Sequence, residues 1–436
     1  MISRQFVQDP GDLMTSTDFT LRIANAIGDV AAEAWDACAN PVPENDAKLD
    51  YNPFISHDFL SSLELSGSAR SRTGWQPAHL LAEAPNGVLV GAVPCYAKSH
   101  SLGEYVFDHG WADAYERAGG HYYPKLQVAV PFTPASGRRL LVRPGPQSDA
   151  VRLALAKGLT EVCRRSQASS VHVTFPTESE WRLLGEHGYL LRTHRQFHWE
   201  NAGYGSFDDF LGSLAARKRK TIRREREDAL ANGITVHRLT GADLTESVWD
   251  SFFEFYMATG SRKWGRPYLT RSFYSIVGEK MRERILLVMA KRDSRWIAGA
   301  INFIGSDALF GRHWGCVEEH PFLHFEVCYY QAIDYAIEHK LGRVEAGAGG
   351  QHKISRGYLP VTTRSAHYID DPALRRSDAD FLRHERAHVA AEIDELQVGE
   401  VAGRVHDHLH RLKEGGRIQD AGADVGVDAR HAQAVA

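Results

Sequence analysis

The chain has 436 residues, 43% of them hydrophobic and 24% charged, with a formal net charge of -4 and a pI of about 6.6. That length carries roughly two to three domains of about 150 residues, with composition enough for a sizeable core. Near-neutral charge excludes a globally basic nucleic-acid binder, the absence of any apolar run of about 18 residues excludes a membrane-spanning helix by sequence, and the polar first 18 residues lack a secretory h-region, so a cytoplasmic protein is expected.

Residues 1–18 read as disordered. A first strand is expected over 21–30 and a short helix over 31–39, and Ser56 reads as the N-cap of a helix over 57–65. Two alternating runs between 79 and 93 flank Asn86-Gly87, the signature of a type I′ hairpin. The aromatic and proline-rich passage 107–134 reads as a long excursion lining a cleft. Strands are expected over 139–142, 170–175 and 189–199, with helices over 149–166 and 178–187 between them, a mixed α/β order. Ser206 caps one long polar helix, 206–232, stopped by Asn232-Gly233. A strand (234–239), two helices (245–260, 270–281), two or three antiparallel strands (285–314), a helix (324–341), a strand (343–346), a short helix (352–358) and a strand to 369 follow. A charged helix to about 395 precedes a disordered tail. Cys38, Cys95, Cys163, Cys316 and Cys328 show no C-x-x-C spacing and read as buried thiols.

The chain repeats itself. Residues 188–199 (GYLLRTHRQFHW) align without gaps on 357–368 (GYLPVTTRSAHY) with six of twelve positions identical, and each copy follows a helix, a strand and a short helix. Two copies of one α/β domain are the economical reading, spanning 19–205 and 233–371, with 206–232 as an inter-domain helix and 372–436 as helix and tail.

That doubled order resembles the tandem acetyltransferase-like (GNAT) architecture of the Fem-type peptidyltransferases. The strings HFEVCYYQAIDYAIEHKLGRVEAGAGGQHKISRGYLP, YYPKL and VPFTPASGRRLL look like the FemAB-like branch of predicted N-acyltransferases, over roughly 52–381. The resemblance implies a fold of tandem GNAT-like domains with a mixed sheet, and transfer of an acyl group, by analogy an aminoacyl group from aminoacyl-tRNA, to a small-molecule or peptide amine. No tightly bound cofactor is implied. The family's expected Gly-Glu-His-Lys is Gly350-Gln351-His352-Lys353 here, so Gln351 receives no catalytic role. An acyl-CoA-dependent N-acyltransferase and a non-catalytic binding protein for cell-wall or phosphorylated ligands are the alternatives.

Acyl transfer to an amine needs a proton acceptor and donors for a tetrahedral oxyanion. His352, after a Gly-Gly turn, is the candidate base, or else a helix cap; Lys353 and Arg356 are candidate anion stabilisers. Glu345 is either a carboxylate of shifted pKa or a partner of Arg356. Arg312, His313 and Trp314 at a strand end, with His324 and Glu326 at a helix start, are candidate substrate contacts, and His109, Trp111, Tyr122, Tyr123 and Lys125 a matching wall in the first domain, unless these aromatics are core. The loop 315–321 stands where acetyl-CoA enzymes bind pyrophosphate, yet carries Glu318 and Glu319, which disfavours CoA. Arg217, Lys218, Arg219, Lys220, Arg223 and Arg224 form the one basic run suited to phosphate or RNA; its bland reading is a solvated helix with Arg223–Glu227 and Arg224–Asp228 pairs. His384-Glu385-Arg386-Ala387-His388 matches the zincin pattern H-E-x-x-H but lacks a third ligand on a core element, so no metal site is expected.

Overall fold

The computed structural model describes residues 15–16, 19–42, 51–263, 267–347 and 349–414. The first half runs β1 (Thr15–Ser16), β2 (Phe19–Ala24), α1 (Ala32–Ala39), α2 (His57–Leu65), β3 (Trp75–Pro77), β4 (His79–Glu83), β5 (Leu89–Val93), β6 (Cys95–Lys98), α3 (His109–Arg117), β7 (Lys125–Val128), β8 (Leu141–Val142), α4 (Ser148–Arg165), β9 (Ser170–Thr174), α5 (Glu178–Glu186) and β10 (Leu190–Glu200). After α6 (Phe207–Ser213) and α7 (Ala216–Ala229) come β11 (Thr235–Leu239), α8 (Glu246–Lys263), α9 (Arg271–Met281), β12 (Ile285–Arg292), β13 (Arg295–Ile304), β14 (Ala308–Cys316), α10 (Leu323–Phe325), α11 (Gln331–Glu338), β15 (Arg343–Glu345), β16 (Leu359–Ile369) and α12 (Pro372–Glu414). A sheet of order β1-β2-β4-β5-β8 accompanies an eleven-stranded sheet of order β11-β12-β13-β14-β15-β10-β16-β9-β7-β6-β3. The pairs β14/β15 and β7/β9 are parallel and the others antiparallel. This is a duplicated, mixed α/β arrangement, as the sequence implies.

The two repeats are interlocked. β10, the last strand of the first half, lies against β15 of the second, while β16, the last strand of the second, lies against β9 of the first. The repeat strands β10 and β16 pair with each other symmetrically: His194 faces Thr363, its own equivalent at the repeat offset, and Thr193/Arg364 and Arg195/Thr362 are mirror pairings of equivalent residues. A local two-fold axis therefore passes between His194 and Thr363, as in a symmetric dimer interface. α2 and α9, capped by the Ser56 and Thr270 side chains, pack together, and Phe59 meets Phe273 at 5.9 Å and Phe303 at 5.2 Å. One apolar core includes Trp35, Phe54 and Leu60 from the first half with Trp249, Phe252 and Phe310 from the second.

Several local expectations change. Pro85 occupies the first corner of the β4–β5 turn, and its fixed negative φ forbids type I′; the Gly87 N–H closes the turn on the Ala84 carbonyl, with Gly87 alone at positive φ, +79°. The passage 107–134 contributes α3 and β7, and β7 lies fully buried between β6 and β9 because Pro124 ends before the first ladder residue. The polar helix over 206–232 is two helices. The chain becomes extended at Leu214 (φ -91°, ψ 161°), which sinks into the core, and the Arg219 guanidinium caps the freed Leu214 carbonyl at 2.8 Å. A π-turn, Glu326–Tyr330, interrupts the helix expected over 324–341. α12 continues past 395 to Glu414. Of residues 1–18 only 15–16, and of the tail after 414 none, lie within the described residues.

Gly188 and Gly357, equivalent in the repeat, both turn the chain into their strands at positive φ, +87° and +85°. A side chain at Gly188 meets nothing within 4 Å, whereas at Gly357 it meets the Phe210 ring at 2.7 Å. Gly188→Ala is expected to cost about 1–2 kcal/mol of backbone strain, and Gly357→Ala a further ~1–3 kcal/mol of overpacking. Thermal or denaturant unfolding of the two variants checks the order; equal losses contradict it.

Candidate active site

A cavity of about 500 Å³ lies between the halves, lined by Tyr51, Asn52 and Arg138 on one side and by Asp307, Phe310 and Thr362 on the other, with His198 and Glu345 among its walls. The strand exchange creates it. His198, near the end of β10, stands directly opposite Glu345, the last residue of β15. Glu345 is 4% exposed; its Oε1 accepts from Arg343 Nε at 3.1 Å, while Oε2 has no hydrogen-bond partner and lies 3.8 Å from His198 Nε2. Burial pulls the His198 imidazole below its usual value, against the opposing pull of Glu345, so at neutral pH it is a neutral proton acceptor beside a carboxylate. Arg343 is also held by Asp307 at 2.9 Å, and Arg364, another lining residue, by Glu178 at 2.7 Å. Arg138 donates to the carbonyls of Cys38 and Ala39 at the end of α1 and forms no ion pair among the described residues.

The sequence candidates of the second half divide over three places. Glu345 reaches the cavity, and its guanidinium partner is Arg343; Arg356 pairs instead with Glu225 at 2.7 and 3.1 Å and stacks on Phe325 at 3.4 Å. Lys353 is buried behind the end of β15, where its ammonium donates to the carbonyls of Ala346 (2.8 Å) and Gly347 (3.0 Å), and burial pulls it down to about 8. Its charge is close enough to depress His198. His352 turns the other way and is exposed, bonded to Tyr329 Oη at 3.0 Å and near His324, ring centroids 6.3 Å apart. Trp314 stacks obliquely on His324 at 5.2 Å, and both line a second cavity of about 390 Å³ with Glu318, Glu319 and His320. Within that lining Glu318 is held by Arg292 at 2.8 Å and by His320 at 3.2 Å. His313, alternating with Trp314 along β14, faces Tyr256. Arg312 donates to the Phe132 carbonyl. Glu326, fully buried, is held by Arg226 at 2.9 and 3.0 Å.

In the first half the expected wall is a buried network. Lys125 donates to Ser101 (2.8 Å), Glu104 (2.7 Å) and Asp108, and Tyr122 Oη donates to Asp108 at 2.8 Å. Tyr122 Oη also contacts His172 Nε2 at 3.2 Å, and His172 Nδ1 meets His367 Nδ1 at 2.7 Å. Trp111 packs edge-on to His367 at 4.9 Å, Tyr123 bonds Ser101, and His109 is exposed beside Phe107. Burial pulls His172 down to about 3 and His367 well below its usual value, so both imidazoles are neutral.

Along α7, Arg217, Lys220, Arg223 and Arg224 are exposed, while Lys218 and Arg219 are half-buried. Arg224 pairs with Asp228 at 3.4 Å as expected, but Arg223 pairs with Asp208 at 3.1 Å rather than Glu227. Of the H-E-x-x-H residues, Glu385 is taken by Arg192 through two bonds of 2.7 Å, and His384 Nδ1 by the Asp380 carbonyl. Sequence reasoning missed His198, Arg138, Arg343 and Asp307. The repeat carried a signal for one of them: His198 and His367 are the only histidines at equivalent positions of the two repeat strands.

A FemAB-like family, described as peptidoglycan biosynthesis/recognition, matches residues 26–400. Among curated proteins none matches significantly. Among solved structures, FemX is similar at 12% identity over 80% of this chain and 98% of that one, with a TM-score of 0.49. L-PGS from Bacillus licheniformis follows at 10% identity over 78% and 99% (TM-score 0.45), and a tandem GNAT protein from the clavulanic acid biosynthesis pathway at 12% over 81% and 99% (TM-score 0.39).

The two Nδ1 atoms of His172 and His367 share a single proton, since one must donate and the other accept. In the unfolded chain each takes up a proton near pH 6.5; in the fold both resist it. Their stabilisation is thus fully present above about pH 6.5 and is lost as pH falls toward the depressed folded values. His367→Phe should lower stability at pH 7.5 yet flatten its fall between pH 6.5 and 5 by about 1.4 kcal/mol per pH unit. Denaturant titrations at four pH values measure the slope, and an unchanged slope rules the account out.

Proposed function

The chain belongs to the FemAB-like family, and from that premise we propose that it is an N-acyltransferase which moves an aminoacyl group from aminoacyl-tRNA onto an amine in the inter-repeat cavity. The observation that carries this reading is His198: a neutral, buried imidazole facing a carboxylate in the cavity that the duplicated fold builds at its centre. With Nε2 toward Gln196 Oε1 (3.4 Å) and Glu345, the other ring nitrogen is left to accept a proton. The acceptor amine attacks the ester carbonyl carbon, a C–N bond forms, and the amine proton passes to His198. Glu345 stabilises the imidazolium. The tetrahedral oxyanion collapses, the C–O bond to the ribose breaks, and the imidazolium returns its proton to the departing hydroxyl. Lys353, held by two carbonyls behind β15, acts on the site through its charge, which lowers the proton affinity of His198.

For a tRNA donor α7 supplies the cations: Arg217, Lys220 and Arg224 fall on one exposed face at i, i+3 and i+7. No helix among the described residues is long and apolar enough to cross a membrane.

Two outcomes are expected. In single-turnover transfer assays His198→Ala should lower the rate by about 10²–10⁴, and the acid limb of the wild-type profile should lie below about pH 6.5. Glu345→Gln should slow the reaction and move that limb to lower pH, because the carboxylate raises the imidazole's affinity for a proton; a limb that stays in place removes Glu345 from this role. In tRNA titrations at several salt concentrations, replacing Arg217, Lys220 and Arg224 together by Gln should reduce the slope of log K against log salt by about 2 to 3. Tight CoA binding with no tRNA binding would overturn the donor.

A further inference from the structure

Among the described residues, the charges lining the inter-repeat cavity are three guanidiniums, Arg138, Arg343 and Arg364, and three carboxylates, Glu178, Asp307 and Glu345. Most close upon one another. Arg364 is taken by Glu178, and Arg343 by Asp307 together with Oε1 of Glu345. Two groups remain. Arg138 touches only main-chain carbonyls and has no carboxylate partner among the described residues, and Oε2 of Glu345, on a residue 4% exposed, accepts no hydrogen bond. A buried acceptor without a donor and a half-buried guanidinium without an anion are each costly by themselves, and both are relieved by a ligand that brings the missing partners.

We propose that the cavity binds a zwitterion: a small amino-acid-like or dipeptide acceptor whose amine docks on Glu345 Oε2 and whose acid group docks on Arg138. The volume, about 500 Å³, lies in the range of small-molecule sites and leaves no room for a polymer to be enclosed. The same geometry orders the chemistry. Glu345 receives the ammonium form and holds the amine beside the His198 ring, whose Nε2 stands 3.8 Å from the carboxylate. Asn52, also in the lining, has its carbonyl oxygen and backbone N–H engaged locally with Phe54 and Asn40, which fixes the wall beside Arg138. Calling the ligand an acceptor rests on the acyltransferase reading; the match of charges does not.

The test is calorimetric titration of the intact chain, without any donor, with L-alanyl-L-alanine, its N-acetyl form, its C-terminal amide, and phosphoethanolamine. The free dipeptide should bind, and blocking either end should weaken it about tenfold or more. Phosphoethanolamine binding more tightly than the dipeptide identifies the acid group as a phosphate; the reverse identifies a carboxylate. Arg138→Gln should erase the difference between acid and amide, and Glu345→Gln the difference between amine and N-acetyl forms. Equal binding of blocked and free forms to the wild type overturns the proposal without recourse to variants. Zwitterion binding with no transfer from any donor would sink the transferase reading and leave the cavity assignment standing, whereas transfer to an amine that lacks an acid group, with no binding of the zwitterions, would sink this inference alone.

Discussion

Everything in this molecule depends on the exchange of the last strand between its two repeats. Nine consecutive pairs, Leu190–His367 through His198–Leu359, hold β10 and β16 together about the local two-fold axis, and each strand then completes the other half's sheet. A half by itself would present β9 or β15 as an unpaired edge and leave one face of Phe54 or Phe303 without its partner. The His198–Glu345 apposition exists only because β10 has crossed over. The cavity is therefore a property of the duplication, not of either copy.

The same symmetry makes two equivalent ends, and the chain has treated them differently. His367 is the repeat equivalent of His198, and the residue facing it, His172, is thereby the equivalent of Glu345. At the His172 end the space is filled: Trp111 packs on His367, Tyr122 and Asp108 take the remaining nitrogen's surroundings, and α12 covers the strands through the Glu385–Arg192 pair and the Arg386 bond to the Leu191 carbonyl. At the Glu345 end no such cover exists among the described residues, and the cavity stays open. A histidine pair can share one proton and remain neutral when sealed from water. A carboxylate sealed in the same way needs a permanent cation, which Arg343 provides, and a further donor, which none of the described residues provides.

The fold was legible where local chemistry and pattern agreed: Ser56 capping α2, the strand and helix alternation from 170 to 199, and above all the twelve-residue repeat, whose copies turned out to be neighbours in space. The misses share a cause. Leu214 breaks a helix whose local propensity is continuous because a tertiary core claims its side chain, and Pro124 can precede a central strand because only its carbonyl is used there, accepting from the Ser169 N–H at 3.0 Å. The site was half legible. Glu345 was singled out from its strand end, but its partners come from 147 residues earlier in the case of His198, and a contact made by strand exchange has no local signature. His352, attractive for its Gly-Gly turn, points away because β15 ends in carbonyls that draw Lys353 inward and leave its neighbour outside.

Helix α7 shows how one element serves two surfaces. Ile222, Glu225 and Ala229 fall at i, i+3 and i+7 and face inward. Glu225 receives Arg356 and the Tyr330 hydroxyl, and Arg226, on the flank, spans Glu326 and Asp334 while lying over the Phe207 ring. Buried ion pairs contribute little net stability against an apolar alternative, but losing one partner is expensive, about 3–5 kcal/mol, so they select a single register. The π-turn at Glu326–Tyr330 belongs to the same device, since the residues it displaces, Glu326 and Tyr330, are the ones that reach α7. Rigid seating of the inner face fixes where the outer cations stand relative to β15, whose end carries Glu345. The buried guanidinium clamps hold the basic helix in one seat against the π-turn, α11 and Arg356.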